Sequence, residues 1–169
     1  HGGVVQTVAF SAYVNAEKHK AFAEATSKVY ETKARDIGFT ILSRDSIRAL
    51  NNVDRNTYYS EFQNLRASAS NEIESLKEKI DPVSVSDYVD HIDYMVDLIG
   101  LEHVGISSDF DGGGGVEGWQ DASETFNVTK ELVKRGYSED EITKLWGENL
   151  LRVLDEVEAV ATEIQNSEA

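Results

Sequence analysis

The hydrophobic pattern contains two short, nearly continuous apolar runs that lie next to glycine. Residues 3–10 read GVVQTVAF, and residues 103–108 read HVGISS. Runs of this length that hardly alternate with polar residues are typical of parallel strands covered on both faces. We therefore predict two buried strands at these positions. A third run, Phe39 to Leu42, is compatible with a strand or with a turn.

Elsewhere the apolar residues recur every three or four positions, a spacing that predicts helices with one buried face. Residues 54–80 carry one apolar stripe along an otherwise charged segment. Such a stripe is more typical of a helix packed in its own domain than of a partner-binding surface. The predicted helices are residues 15–35, 43–50, 54–80, 86–99 and 123–135, one that begins after Ser138, and a last one that runs to about Glu163.

Capping residues set the ends of these helices. Asn15, Ser43 and Ser86 are candidate N-caps, and Gly100 and Gly136 are candidate C-terminal ends. Ser138 and Glu141 have the spacing of a capping box, and Pro82 is expected to end the helix before it. Two parallel strands connected through helices form a βαβ arrangement. A parallel sheet of only two strands cannot be covered on both faces. We therefore expect this chain to be part of a larger α/β sheet or barrel.

The charge is large and unevenly distributed. Of 169 residues 16 are basic and 31 acidic, which gives a formal net charge of −15. Residues 1–85 hold 11 of each kind, whereas residues 86–169 hold 5 basic and 20 acidic residues. Such a surface repels nucleic acid and anionic membranes and is compatible with cations. The chain has no cysteine, which excludes thiolate metal sites. We expect a soluble protein without membrane contact, and its compartment, cytoplasm or periplasm, stays open.

Candidate chemistry is concentrated after the second apolar run. Asp109 and Asp111 follow it, and Gly112 to Gly115 come directly after them. Carboxylates at the carboxyl end of a parallel strand stand where α/β enzymes place their active sites. Asp109 is therefore a candidate metal ligand, general acid or base, or anchor for a substrate amine. In the alternative interpretation both aspartates only shape the loop by accepting backbone hydrogen bonds.

Other metal and phosphate sites are poorly supported by the sequence. The loop lacks the full ligand set of an EF-hand and the Lys-Ser/Thr end of a P-loop. The four histidines, His1, His19, His91 and His103, show no spacing typical of metal ligands. His91 stands among aspartates and is interpreted as a partner in local ion pairs. We therefore predict no metal centre built from these histidines.

Several motifs, taken in order, resemble one known family. They are GGVVQTVAF, then VSDYVDHIDYMVDLIGLEHVGISSDFDGGGG, the triplet Asp121-Ala-Ser, and ELVKRGYSEDEITKLWGENLLRVLDEVE. Together they are similar to the C-terminal part of the membrane dipeptidase (renal dipeptidase-like) family of zinc peptidases. The resemblance implies a TIM-type (β/α)8 barrel that hydrolyses dipeptides with two zinc ions. Residues 3–10 would be its seventh strand, residues 103–109 its eighth, and residues 15–81 a helical insertion between them.

The same resemblance implies roles for individual residues. It maps the family's strand-eight aspartate onto Asp109, which would contact the metal-bound water or the substrate amine and transfer a proton to the leaving group. Phe10, Asp111 and Gly112 are the expected substrate contacts. The family's zinc ligands match no part of this chain. Residues 1–169 would then be a C-terminal fragment of one barrel domain, inactive by itself.

The expected partners are a small peptide substrate and the missing N-terminal part of the barrel, and a homodimer is compatible with the resemblance. Two alternatives stay open. The first is another amidohydrolase, such as a deaminase or lactonase, on the same barrel. The second is a non-catalytic, acidic helical interaction module that uses the apolar stripe from Tyr58 to Ile80.

Overall fold

The computed structural model describes residues 2–167 and divides into two compact units. One unit holds the residues up to Ala16 and those from Val83 onward, and the other is Glu17–Pro82. In chain order the elements are β1 (Val5–Val8), α1 (Ser11–Val14), α2 (Ala16–Ile37), α3 (Arg44–Ala49), α4 (Asn52–Lys77), α5 (Val85–Ile99), β2 (Val104–Ser107), α6 (Phe126–Arg135), α7 (Glu139–Thr143) and α8 (Asn149–Ser167). A π-helical turn, Lys144–Glu148, joins α7 to α8.

The two strands of the first unit form a parallel sheet, as the sequence predicts. Val5 lies opposite Val104, and Val8 lies opposite Ser107. The strands are shorter than the apolar runs that predicted them, because the flanking residues turn into the loops at either end. The carboxyl ends of both strands therefore meet at the same edge of the sheet.

Only one face of this sheet is well covered by the described residues. Thr7, Val104 and Ile106 are buried on the face toward the helices. On the other face Gln6 and Val8 are only half-buried. The described residues therefore cover β1 fully on one face alone, and cover on both faces stays a prediction. The reason is that the apolar core of this unit lies on one side of the sheet.

The helices that follow Val83 build that core. Its largest fully buried side chains include Tyr88, Ile92, Leu132 and Leu145. Trp119 is buried, and its ring centroid lies 5.3 Å from that of Tyr88. α5 places the Tyr88 hydroxyl next to Thr7 and Ser107, near the carboxyl ends of both strands.

Most helix ends follow the predicted caps. The corrections are the end of α4, which is Lys77 and not residue 80, the start of α6, which is Phe126 and not residue 123, and the N-cap of α5. Gly100 and Gly136 have positive φ angles and end α5 and α6 as predicted. Ser84, not Ser86, precedes α5, and its backbone N–H donates to Asp87 Oδ2 at 2.9 Å. The N-cap lies two residues earlier than predicted because the Val85 N–H is held by the Glu117 carbonyl oxygen, at 3.0 Å.

The second unit is helical and lies between β1 and β2 in chain order. Tyr58 and Leu65 of the α4 stripe are buried, and the Tyr58 ring stacks on Phe39 at 5.4 Å. Much of the stripe is thus covered, as the interpretation of a helix packed in its own domain predicts. The run from Phe39 to Leu42 forms no strand. That this unit is an insertion within a barrel stays a prediction.

Candidate active site at the carboxyl ends of the strands

A buried tyrosine ties the two strands together where they end. The Tyr88 hydroxyl lies 2.8 Å from both the hydroxyl and the carbonyl oxygen of Thr7. It also accepts a hydrogen bond from the Ser107 N–H at 3.3 Å. Burial raises the pKa of Tyr88 to about 12, so the hydroxyl stays neutral at ordinary pH. This contact fixes the spacing of the strands just before Phe10 and Asp109 leave them.

The glycine-rich loop after β2 folds back over Asp109. Asp109 has a φ of 69°, and its carbonyl oxygen accepts hydrogen bonds from the N–H groups of Gly112 and Gly113, both at 3.2 Å. The Gly114 N–H donates to Asp109 Oδ2 at 3.3 Å. The turn therefore wraps around both the backbone and the carboxylate of this aspartate.

Two of the glycines approach neighbouring side chains too closely to carry a side chain of their own. A Cβ atom on Gly112 would lie 2.6 Å from Asp109 Oδ1. A Cβ atom on Gly113 would lie 2.5 Å from the Phe10 ring and 2.9 Å from Asp109 Oδ2. The glycines thus allow the loop backbone to contact the Asp109 carboxylate and the Phe10 ring at once.

The loop is also fastened to the single-turn helix that follows β1. The Ser11 N–H donates to the Gly114 carbonyl oxygen at 2.9 Å, and Ser11 is buried. A Cβ atom on Gly115 would lie 2.8 Å from Ser11 Oγ. Residues from both strands therefore meet in one cluster, which we call the strand-end site and define as Phe10, Ser11, Asp109 and Gly112 to Gly115.

The structure brings together three of the four residues that the sequence proposed for the site. Phe10, Asp109 and Gly112 lie in the strand-end site. Asp111 also has a positive φ, 62°, but its side chain is exposed, and among the described residues its carboxylate accepts no hydrogen bond. The loop-shaping interpretation therefore holds in part for Asp109 and finds no support for Asp111. The catalytic and substrate-binding roles stay predictions.

Sequence reasoning missed Ser11, Gly113 and Tyr13. The rings of Tyr13 and Phe10 are nearly perpendicular, with their centroids 4.8 Å apart, and Tyr13 is 74% exposed. Helix α1, with four residues, is too short to produce a periodic pattern. The run of four glycines was the available signal for Gly113, but it could not tell which glycine touches which side chain.

The strand-end site contains the half-buried carboxylate of Asp109, one oxygen of which already accepts a hydrogen bond. Asp109 Oδ2 accepts the bond from Gly114, whereas Oδ1 accepts none from the residues that the structure describes. A carboxylate oxygen in this position can bind an ammonium group or carry a proton. The aromatic ring of Phe10 supplies an apolar wall beside it.

The described residues do not form a metal centre. Within residues 2–167, no three histidine, aspartate or glutamate side chains lie close enough to hold a metal ion. His103 is at the opposite end of the strands, where its Nδ1 lies 2.7 Å from the Gly3 carbonyl oxygen. His1 lies outside the described residues. The donor set that zinc requires is thus not found in the part of the chain described here.

The helices of residues 2–167 include none that is both long and apolar enough to cross a membrane.

Comparison with protein families gives one match over nearly the whole chain. Residues 1–168 match the profile of "Membrane dipeptidase (Peptidase family M19)". The dipeptidase aclJ of Aspergillus oryzae is 43% identical over 88 residues, which are 52% of this chain and 21% of that protein. The dipeptidase tcpJ of Claviceps purpurea is 42% identical over 79 residues, 46% of this chain and 19% of that protein.

A solved structure agrees with these sequence matches. The crystal structure of the probable dipeptidase PvdM from Pseudomonas aeruginosa matches with a TM-score of 0.51 and 36% sequence identity. The match covers 89% of this chain and 36% of the PvdM chain. The chain therefore spans only a minor part of the length of each dipeptidase that it resembles.

Proposed function

The chain belongs to the membrane dipeptidase family, peptidase family M19, and on that premise we propose that it is part of an enzyme that hydrolyses dipeptides. The observation that carries the proposal is the strand-end site. A loop that only connects two elements does not require glycines pressed against a carboxylate and an aromatic ring. The placement of this site at the carboxyl ends of parallel strands supports a catalytic role.

In this proposal Asp109 is the proton-carrying residue. Peptide hydrolysis must deliver a proton to the departing amino group, and a carboxylate within reach of that nitrogen can carry it. Asp109 Oδ1 is the oxygen available for this task, because Oδ2 is bonded to the Gly114 N–H at 3.3 Å. Phe10 excludes water from one side of the carboxylate and contacts the substrate.

The zinc ions that the family uses do not fit the described residues of this chain, which contain no suitable group of ligands. We propose that the ligands lie elsewhere in the complete enzyme. No step of the zinc chemistry is therefore assigned to residues of this chain.

We propose further that β1 and β2 are neighbouring strands of a (β/α)8 barrel. Each strand pairs only with the other among the described residues, so each has an open edge, and an open edge in a stable protein is normally paired or covered. The half-buried face that carries Gln6 and Val8 would then line the barrel interior. Exposed apolar side chains on α8, such as Leu154 at 51% and Val157 at 59%, would pack against the rest of the barrel.

The experiment that tests this function is Asp109→Asn in the complete enzyme. The substitution keeps the shape of the side chain and removes its capacity to carry a proton. We expect kcat for dipeptide hydrolysis to fall by roughly 10²–10⁴-fold, the usual scale for a positioned acid or base. Steady-state kinetics on L-dipeptides, dipeptides with D-residues and lactones measures the rate and also separates a dipeptidase from another amidohydrolase.

Asp140→Asn is the matched control. Asp140 is exposed in the first turn of α7, near Lys144 and Glu102 and therefore at the amino end of β2. This variant should retain the wild-type rate. If the Asp109→Asn enzyme is as fast as the control, Asp109 has only a loop-shaping role. If the wild-type enzyme hydrolyses lactones but no dipeptide, the dipeptidase proposal is rejected.

A further inference from the structure

The chain is held from inside the protein on both sides of Asp109. Before it, the Ser107 N–H donates to the hydroxyl of the fully buried Tyr88 at 3.3 Å. After it, Phe110 packs against the apolar core, where its ring is nearly perpendicular to that of Trp119, with the centroids 5.6 Å apart. Both contacts lie within one compact unit of the described chain, so they do not depend on what covers its outer surface.

Trp119 supports the chain on both sides of Asp109, because its ring contacts Tyr88 as well as Phe110. Trp119 is 2% exposed. Its Nε1–H donates to Thr125 Oγ1 at 3.1 Å, and its backbone N–H donates to the Val116 carbonyl oxygen at 3.0 Å. A buried ring that is held by packing and by hydrogen bonds is a rigid support, so the Phe110 ring is anchored.

The backbone of Asp109 needs such support, because its φ angle of 69° is in the left-handed region. Aspartate enters this region more readily than most residues, but the conformation still costs free energy and persists only where neighbouring contacts hold it. With this backbone conformation the Phe110 ring lies in the core, while Asp109 Oδ2 accepts the Gly114 N–H at 3.3 Å. Burial of the ring therefore favours the conformation that places the carboxylate in the strand-end site.

We propose that Phe110 is a positioning residue, whose anchorage against Trp119 holds the Asp109 carboxylate in the orientation in which it carries a proton. This inference rests on the proposed dipeptidase function. Phe110 acts through Asp109 and needs no contact with the substrate. A displacement of about 1 Å in a reacting group can slow the chemical step about 100-fold, so the loss of the anchor should lower kcat much more than it raises KM.

The test is a double-mutant cycle in the complete enzyme, in which Phe110→Ala is made both in the wild-type protein and in Asp109→Asn. In the wild-type background we expect kcat for dipeptide hydrolysis to fall about 10–100-fold, while KM stays within about threefold. In the Asp109→Asn background Phe110→Ala should change kcat by less than about threefold, because the group that it positions is already inactive. A merely structural role would slow both enzymes to the same extent.

Trp146→Ala is the matched control. Trp146 is half-buried like Phe110 and packs perpendicularly on Trp119, with the centroids 5.9 Å apart, but it belongs to the π-helical turn before α8. This variant should lower the unfolding temperature and leave kcat within about twofold of wild type. If Phe110→Ala does not fold, Phe110→Leu keeps an apolar side chain in the core and repeats the cycle with a smaller loss of kcat.

Equal losses of kcat from the Phe110 substitution in the two backgrounds, or no loss in either, would overturn the positioning role and leave the dipeptidase function intact. A Trp146→Ala enzyme as slow as Phe110→Ala would also overturn it, since any disturbance of Trp119 would then suffice. If the wild-type enzyme cleaves no dipeptide, the proposed function itself fails, and this result is known before Phe110 is changed.

Discussion

The Tyr88 hydroxyl lies in the gap between β1 and β2, where it contacts Thr7 and Ser107. Tyr88 is fully buried, so removal of the hydroxyl leaves these groups without water as a substitute partner. We expect Tyr88→Phe to lower the free energy of unfolding by about 1–3 kcal/mol, the usual cost of an unsatisfied buried group. Urea unfolding of the complete protein, followed by tryptophan fluorescence, measures this change, and Trp119 lies next to the ring as a probe.

The same residue predicts a loss of stability at high pH. The pKa of Tyr88 is raised from 10.0 to about 12 by burial, although the hydrogen bond with Thr7 works in the opposite direction. The folded protein therefore binds this proton more tightly than the unfolded chain. The stabilisation is complete below about pH 10 and is lost as the pH rises toward 12. Tyr88→Phe should remove this part of the pH dependence, whereas Tyr94→Phe, at an exposed position, should not. Equal pH profiles of the two variants would contradict the prediction.

The site position of a single residue was predictable from the sequence where the apolar pattern alone shows that a chemically reactive side chain lies at the end of a strand. Asp109 follows an apolar run directly, so the pattern placed it at the end of a strand. The N-cap of α5 was placed two residues late, because the contact that starts the helix at Val85 comes from Glu117, 32 positions later in the chain. Ser11 gave no signal, since its place in the site depends on the Gly114 carbonyl oxygen of a loop about 100 residues away.

At the scale of elements, the glycine-rich loop acts as a unit with α1 and the ends of both strands. We expect Gly113→Ala to lower kcat/KM by about 10–100-fold, because its Cβ would displace the Phe10 ring and the Asp109 carboxylate from their positions. The φ angle of Gly113 is not in the left-handed region, so the effect comes from the contact and not from backbone strain. Dipeptide kinetics of the complete enzyme measure the loss.

Gly147→Ala provides the control for that substitution. Apart from its chain neighbours and the backbone of its own helix, no atom of residues 2–167 lies within 4 Å of the position that its Cβ would take, and its φ angle is also outside the left-handed region. It lies in the helical turn before α8, where alanine is favoured over glycine. The control should keep its activity, and a Gly113→Ala enzyme with the same activity would show that the loop tolerates a displaced ring.

The elements themselves were largely predictable, because periodicity is a local signal. Both strands, their parallel direction and most of the helices follow from it, and Ser138 with Glu141 forms the expected capping box. The loop geometry was not predictable in this way. The close approach of Gly113 depends on the ring of Phe10, which follows the other strand and is about 100 positions away in the sequence.

At the scale of the whole molecule, the apolar surface is distributed in two ways. The described core is well packed on one side of the sheet, with Tyr88, Ile92 and Leu132 fully buried. In contrast, α8 leaves apolar side chains about half exposed at positions three or four apart, Leu150, Leu154, Val157, Val160 and Ile164. α8 buries only Asn149 among its described residues, and an apolar stripe open to solvent is typical of a surface that further protein covers. The two-stranded sheet with its open edges leads to the same expectation.

This distribution predicts the behaviour of the isolated 169-residue chain. Because its described residues hold no suitable group of metal ligands and leave the α8 stripe uncovered, the chain alone should show no zinc-dependent dipeptide turnover and should unfold at low urea concentration. The complete enzyme, assayed at the same molar concentration with and without added zinc, is the control.

The substitution Leu154→Glu tests whether the α8 stripe is covered in the complete enzyme. It should lower the free energy of unfolding of the complete enzyme by about 2 kcal/mol or more but leave that of the isolated chain nearly unchanged. Zinc-dependent turnover by the pure chain, or an equal effect of Leu154→Glu in both contexts, would mean that the described residues do not need the rest of a barrel.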